Sequence, residues 1–297
     1  EKYPNYYAAI ENNYKQKITD EFLEPSVINS SNIKENDSVI FMNFRPDRIL
    51  QLADALISDN FEGFIRKKIP NLFVATMVEY RKNLTPNVLF PKQYIHLSLG
   101  NVIDTENKSQ LRIAETEKFP HVTYFFNGGT PIIYDKEDRI IIPSPEVTTY
   151  DLKPEMSAVE ITTILIDRIS KGIYDFLVVN FANTDMVGHT GNLEAAVKSV
   201  KVVDFCVRKL VNSFTAVGGA VFITSDHGNV EEMLNLDNGE MDTEHSINPV
   251  PLIVVVTQFK EQLLPYGALH DIAPTILQVM GINKPSEMTG KNLLPMI

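Results

Sequence analysis

Tyr174-Asp-Phe-Leu-Val-Val-Asn-Phe-Ala-Asn-Thr-Asp-Met-Val-Gly-His189 is the stretch from which the fold is read. Its first half, Tyr174–Val179, is a short apolar run and predicts a buried strand. Its second half carries Asp185 and His189 four residues apart, so one helical turn brings both to one face. The pattern recurs: Ala220–Thr224 predicts a strand that runs into Asp226-His227. Strands that are apolar along their length and alternate with helices predict a parallel sheet covered on both faces. In such sheets ligands bind beyond the carboxyl ends of the strands, which places Asp185 and Asp226 at one rim.

Working outward, Pro154 predicts the start of a helix with Ala158, Ile161, Leu165 and Ile169 on one face and Gly172 at its end. Leu193–Phe214 predicts a long amphipathic helix, Pro249–Val256 a strand and Asp271–Met280 a closing helix. Val122–Phe126 reads as a further strand, and Ile132–Ile142 as a hairpin around Asp135–Asp138. Nearer the start, Ala8–Ile18 predicts a helix, Val39–Met42 and Phe73–Val78 predict strands, and Pro46 opens a helical pattern through Ile49, Leu52, Ala53 and Leu56. The proline-containing stretch Asn83–Gln93 has little periodicity and predicts a boundary between two domains, residues 1–92 and 93–297.

The chain is 297 residues long and 44% hydrophobic, enough for two cores rather than a disordered segment. Acidic residues outnumber basic ones 38 to 27, which argues against a nucleic-acid partner. One cysteine, Cys206, excludes an intramolecular disulfide and suits a reducing compartment, so a cytoplasmic location is expected. Cys206 reads as inert core. No apolar run is long enough for a membrane span. Asn29-Ser-Ser matches a glycosylation acceptor, but no signal-peptide pattern supports that use.

Three motifs hold metal-ligating residue types: Asp185-Met-Val-Gly-His189, Asp226-His227-Gly-Asn and Thr243-Glu-His245. Two carboxylates and three imidazoles suit divalent cations such as Mn²⁺ and Zn²⁺. Each motif alone is matched by a bland reading, a helix cap or a core histidine; three of them together make metal binding the stronger reading. Gly188 and Gly228 fit a crowded backbone around an ion. Arg45-Pro-Asp-Arg48 places two guanidiniums at an expected helix start, a receptor for phosphate or carboxylate, with a surface ion pair to Asp47 as the competing reading. Lys118, beside Glu115 and Glu117, reads on its own as a solvated ion pair. His96, His121 and His270 lack an acidic partner at ligand spacing and read as structural.

These stretches carry a resemblance. Asn43-Phe-Arg-Pro-Asp-Arg48, Leu111-Arg-Ile-Ala-Glu-Thr-Glu-Lys118, Tyr150-Asp-Leu-Lys-Pro-Glu-Met156, Asn180-Phe-Ala-Asn-Thr-Asp-Met-Val-Gly-His-Thr190, Asp226-His-Gly-Asn229 and Asn248-Pro-Val-Pro251 run in the order found in the cofactor-independent phosphoglycerate mutases. The chain resembles that family, within the alkaline phosphatase superfamily, over almost its whole length. The resemblance implies an α/β fold, with an alkaline-phosphatase-like sheet in residues 93–297 and the C-terminal part of a transferase domain in 1–92. It implies a glycolytic isomerase that interconverts 3-phosphoglycerate and 2-phosphoglycerate through a phosphoserine intermediate. Two Mn²⁺ ions are expected in the intact enzyme, with Mg²⁺, Co²⁺ or Zn²⁺ as alternatives. By motif, Asp185, His189 and His245 correspond to ligands of one ion, and Asp226 and His227 to part of the ligand set of the second ion. Arg45 and Arg48 correspond to substrate clamps, and Lys118 to a stabiliser of the transferring phosphoryl group. A monomer acting on phosphoglycerate, without nucleic acid or membrane, is expected.

Family members are longer, and no serine here stands in the family's nucleophile context. The expectation is therefore the C-terminal part of such an enzyme, inactive alone. Thr184 stands where the family often has proline, and Ser225 and Glu244 where it often has alanine. The rival readings are another superfamily member, a phosphopentomutase or a phosphodiesterase, and a non-catalytic metal-binding fragment. Neither enzyme would share the Arg-Pro-Asp-Arg and Glu-Thr-Glu-Lys stretches.

Overall fold

The computed structural model describes all residues except 1, 17, 19–22, 24, 29–31, 46–48, 93–94, 96, 236–238, 240, 258–262 and 296–297. The described chain forms two compact units, Glu1–Gln93 and Tyr94–Ile297.

The first unit contains α1 (Tyr6–Lys15), β1 (Ser38–Phe41), α2 (Leu50–Ile57) and β2 (Phe73–Thr76). Asn5 caps α1, its side-chain oxygen accepting from the Ala8 N–H at 2.9 Å. β1 and β2 pair in parallel, Ser38 opposite Phe73. Phe41, Ala53, Val74, Tyr80 and Leu84 make a small core beneath them. Of the helical face read through Ile49, Leu52, Ala53 and Leu56, Ile49, Ala53 and Leu56 pack on this core while Leu52 is exposed, and α2 begins at Leu50 with Ile49 as its N-cap. Arg45 is therefore not the cap of this helix. Pro46, Asp47 and Arg48 lie outside the described residues, as do Asn29-Ser-Ser and His96.

The second unit contains α3 (Leu99–Thr105), β3 (Gln110–Glu115), β4 (Glu137–Ile142), α4 (Ala158–Lys171), β5 (Phe176–Asn180), α5 (Asn183–Gly188), α6 (Leu193–Ala216), β6 (Val221–Thr224), β7 (Leu252–Val255) and α7 (Ile272–Val279). β4, β3 and β5 form a parallel sheet in that order. β6 and β7 form a separate antiparallel pair. Both faces of the parallel sheet are covered. Leu111 and Ile113 of β3 pack with Ile161, Leu165 and Ile169 of α4 and Leu210 of α6. On the other face α3 and α7 pack together through Val102, Ile103 and Leu277, with Phe176 of β5 and Phe126 against them. Truncating Ile161 or Leu165, each essentially unexposed, to alanine costs about 2–5 kcal/mol. α4 ends at Gly172, whose φ of 62° is the left-handed turn that glycine adopts without penalty.

Several expectations are corrected. Val122–Phe126 is not a strand: a helical segment runs through Thr116–Lys118 and His121–Phe125, with Pro120 between them. Pro120 fixes a helical φ and outweighs the β-branched and aromatic residues that suggested a strand. Ile132–Ile142 is not a hairpin, since only Glu137–Ile142 is a strand and it runs parallel to β3. β3 itself is the central strand, and its polar Gln110, Arg112 and Glu115 concealed it. The strand after Pro249 exists, but it pairs antiparallel. Cys206 is fully buried, as read.

Candidate metal centre

β5 delivers the chain directly into α5, a helix of less than two turns, so Asp185 stands just beyond the carboxyl end of the strand. His189 is the C-cap of α5, and its N–H donates to the Asp185 carbonyl at 3.1 Å. That single turn puts His189 Nε2 at 3.2 Å from Asp185 Oδ1. His245 Nε2 lies 3.0 Å from the same carboxylate oxygen and 3.0 Å from His189 Nε2. Asp185, His189 and His245 thus present three donor atoms as a near-equilateral triangle.

His227 approaches the same centre. Its Nε2 is 4.0 Å from Asp185 Oδ1 and 3.7 Å from Asp226 Oδ1. Its ring stacks on His245, with centroids 3.7 Å apart. Among the described residues Asp185, His227 and His245 form a compact group of donors suited to a metal ion. His227 therefore lies between the two carboxylates rather than with Asp226 alone. Asp226 remains at the exposed margin, its side chain 59% accessible.

Backbone carbonyls orient two of the rings. His189 Nδ1 is 2.7 Å from the Thr243 carbonyl, and His227 Nδ1 is 3.1 Å from the Gly228 carbonyl. An Nδ1–H donated to a carbonyl leaves Nε2 as a lone pair aimed at the centre, the arrangement that supports metal-bound histidines. The Ser225 hydroxyl donates to the His227 carbonyl at 2.6 Å and helps hold that turn. Glu244 is exposed, its N–H donating to Asp242 Oδ1 at 2.9 Å.

The donors fit a divalent cation. Three ligands held about 2.1 Å from one ion at right angles lie about 3.0 Å apart, and the three edges of the triangle are 3.0, 3.0 and 3.2 Å. One carboxylate with neutral imidazoles is a borderline donor set suited to Mn²⁺, Co²⁺ or Zn²⁺. Asp226 with His227 offers two donors only for a second ion.

Asp185 is held in its charged form. Burial pushes its pKa up, but the hydrogen bond and charge of Lys118, with His189 and His227, hold it below the ordinary carboxylate value. Lys118 Nζ bonds Asp185 Oδ2, leaving Oδ1 for the imidazoles. This corrects the solvated ion pair read from Glu115 and Glu117. Lys118 is 8% exposed and its partner is 67 residues away. Glu115 instead accepts from the Ser144 hydroxyl at 3.0 Å, and its burial pushes its pKa up. Glu117 accepts from the Tyr150 hydroxyl at 2.7 Å, and burial and that bond raise the Tyr150 pKa to about 12.

Asn229, within the Asp-His-Gly-Asn motif, was not singled out from sequence. It is buried, and its Nδ2 donates to Asp185 Oδ1 at 3.2 Å. Gly188 is required beneath it, because a Cβ there would collide with Asn229 Oδ1. A Cβ on Gly228 would collide with Glu231 and Ser246. Glu231 accepts from Ser246, from the Asn229 N–H and from Asn248. Burial pushes its pKa up, yet these bonds bring it down to about 2. His121, read as structural, is half-buried beside this centre. Burial and Lys118 hold its pKa down, while Asp226 and Asp185 oppose them. His270 pairs with its neighbour Asp271 at 3.5 Å. Arg45 lies exposed in the first unit, after β1.

Comparisons with known proteins identify the family of the chain. A family model described as the metalloenzyme superfamily matches residues 25–284. A 2,3-bisphosphoglycerate-independent phosphoglycerate mutase of Clostridioides difficile (strain 630) is 50% identical over 293 residues, which are 96% of this chain and 57% of that protein. One from Antithamnion sp. is 48% identical over 97% of this chain and 56% of its own length. Phosphoglycerate mutase 1 of Methanosarcina acetivorans is 48% identical over 99% of this chain and 58% of its own. The chain thus spans little more than half the length of the curated relatives it matches. Among solved structures, Leishmania mexicana phosphoglycerate mutase, crystallised at low cobalt concentration, matches with a TM-score of 0.73. It is 28% identical, covering 100% of this chain and 59% of that one. The expected α/β architecture, with parallel strands and helices in the manner of the alkaline phosphatase fold, stands on that match.

Proposed function

This chain belongs to the metalloenzyme superfamily, and we propose that it is the metal-bearing part, with a neighbouring α/β piece, of a cofactor-independent phosphoglycerate mutase. The activity proposed is the interconversion of 3-phosphoglycerate and 2-phosphoglycerate, as a cytoplasmic glycolytic isomerase. The observation that carries this reading is the triangle of Asp185 Oδ1, His189 Nε2 and His245 Nε2, set at the end of β5. The agreement in sequence with phosphoglycerate mutases along nearly the whole chain supports the choice of reaction.

We assign Asp185, His189 and His245 as ligands of one cation, and Asp226 with His227 as part of the shell of a second. Mn²⁺ is the proposed metal. Bound there, divalent cations polarise phosphoryl oxygens and offset the charge that develops on them. The chain's own groups do the rest. His189 and His227 are fixed in orientation by the carbonyls of Thr243 and Gly228. Asp185 is kept ionised by Lys118. Lys118 supplies a buried positive charge beside the ligands, suited to a phosphoryl group brought to that rim. Arg45 and Arg48, carried on the first unit, are assigned to binding the phosphoglycerate carboxylate or phosphate.

The test uses the product of the complete reading frame that contains these residues. Formation of 2-phosphoglycerate is followed with a coupling enzyme. Turnover that disappears on chelation, returns with Mn²⁺ and falls roughly 100-fold or more in His245→Ala is the expected result. Chelator-insensitive turnover, or hydrolysis of a different phosphoester with no mutase turnover, would overturn the assignment.

A further inference from the structure

A helix of six residues does not hold its own shape in water, because too few hydrogen bonds repay its nucleation. α5 is such a helix, and its N-cap, Ala182, offers no side-chain bond. Yet α5 sets Asp185 and His189 at 3.2 Å from one another. That geometry must come from what packs on its buried side. Tyr150-Asp-Leu-Lys-Pro-Glu-Met156, which supplies no metal ligand, packs there. Asn183 is fully buried and donates from Nδ2 to the Pro154 carbonyl at 2.9 Å. Asn192, the N-cap of α6, donates to Asp151 Oδ2 at 3.1 Å. Met156 joins an apolar cluster with Ala182 and Val187, with Ala195 and Ala196 of α6, and with Met233. Val230, the neighbour of Asn229, packs against the same cluster. One small core thus underlies both α5 and the turn that follows His227.

Met156 is the strained member of that core. Its φ is 43°. Among the described residues the other non-glycines with positive φ are Asn36, Asn71, Asn83 and Asn107. Asparagine visits this region because its short side chain bonds the nearby backbone, whereas methionine gains no such bond and its Cβ crowds the following carbonyl. Strain of this kind persists only where the surroundings impose it, and it gathers at functional sites. Here the surroundings do impose it. The Met156 N–H donates to the Lys153 carbonyl at 2.9 Å, and the next residue, Ser157, donates from its hydroxyl to the Pro143 carbonyl at 2.8 Å. The side chain is 5% exposed. The left-handed turn leads the chain into α4 at Ala158 while the thioether stays in the cluster.

We infer that Met156 is a positioning residue of the metal centre. Its thioether, held inward by a strained backbone, supports the buried side of α5 and so fixes the turn that sets Asp185 against His189. The inference rests on the assignment of Asp185, His189 and His245 to one cation, but not on the proposed reaction, because its readout is metal binding rather than turnover.

The experiment compares the chain with Met156→Gly and Met156→Leu by titration calorimetry with Mn²⁺ and by electron paramagnetic resonance of the bound ion. Glycine relieves the backbone and removes the thioether. Leucine keeps an apolar side chain of similar volume. In Met156→Gly the Kd for Mn²⁺ should rise roughly 10–100-fold, the loss that follows removal of an outer support, and the zero-field splitting of the bound ion should change. Met156→Leu should restore both. Leu165→Ala, in the core formed with α4, is the control: it should melt at a lower temperature with the parent's affinity for Mn²⁺. A packing role alone predicts the same behaviour for Met156→Gly. A glycine variant that melts lower but keeps the parent's affinity and spectrum would therefore overturn the inference. Should that variant fail to fold, Val187→Ala perturbs the same cluster from the α5 side, and unchanged Mn²⁺ affinity there would overturn it too. A parent chain that binds no Mn²⁺ at this centre would overturn the metal assignment and the inference together, whereas equal binding by parent and glycine variant overturns the inference alone.

Discussion

Lys118→Met removes the ammonium that Asp185 Oδ2 holds, while keeping side-chain length and filling much of the same space. The two side chains are 10% and 14% exposed, so this is a buried pair. Deleting one partner of such a pair leaves an uncompensated charge and costs about 3–5 kcal/mol. His189 and His227 also favour the ionised form of Asp185, which softens the loss. The lower figure, about 3 kcal/mol, is the expectation for metal-free protein. At about 2–4 °C per kcal/mol for a unit of this size, the transition of the second unit should fall by about 6–12 °C. A divalent cation against Oδ1 restores compensating charge, so in saturating Mn²⁺ the loss should shrink to below about 1 kcal/mol. Calorimetry with and without chelator reads both numbers. An equal loss in the two conditions would refute the shared-carboxylate reasoning. So would a metal-free loss under about 0.5 kcal/mol, the size expected of a solvated surface pair.

Gly188→Ala forces Asn229 off Asp185; titration calorimetry should show Mn²⁺ affinity reduced roughly 10–100-fold, and unchanged affinity would show that Asn229 does not support the site. Glu231 has its pKa lowered from 4.5 to about 2, so its stabilising contribution is fully present above about 4.5 and is lost as pH falls toward 2. Glu231→Gln should then be less stable than the parent at pH 7 and indistinguishable from it near pH 2, and a gap that widens in acid would reverse the sign. Arg112 is wholly buried, its Nε and Nη1 have no hydrogen-bond partner among the described residues, and burial lowers its pKa to about 10. Arg112→Met should change stability by no more than about 1 kcal/mol, because an apolar chain fills the site beside Phe126 and Phe176 without an ion to desolvate; a loss above about 3 kcal/mol would mean that the guanidinium has a compensating network.

The sequence signals that held were periodic and local. The apolar run into Asp185 marks β5, and the four-residue spacing of Asp185 and His189 becomes a 3.2 Å contact because α5 supplies one turn. α4 and α6 were legible because their apolar faces repeat at helical spacing and glycine or a polar cap ends them. β3 was hidden because its buried residues include Gln110, Arg112 and Glu115, polar types that are mostly exposed in folded proteins. The direction of β7 was not legible, since a strand's side-chain pattern is the same whether it pairs parallel or antiparallel. At the metal centre the ligand types were legible as motifs, whereas the partners that orient them were not. Thr243 acts through its carbonyl, which no side-chain pattern reports. Lys118 pairs with a carboxylate 67 residues away rather than with the glutamates beside it. Asn229 showed only as a letter in a motif until its contact with Asp185 gave it a role.

The central claim is that Asp185, His189 and His245 hold one divalent cation. Crystals of the chain soaked in Mn²⁺ and measured at the manganese absorption edge test it directly. The account predicts an anomalous peak about 2.1 Å from Asp185 Oδ1, His189 Nε2 and His245 Nε2 together. No peak among these three atoms at saturating Mn²⁺, or a strong peak coordinated by other residues alone, would contradict it.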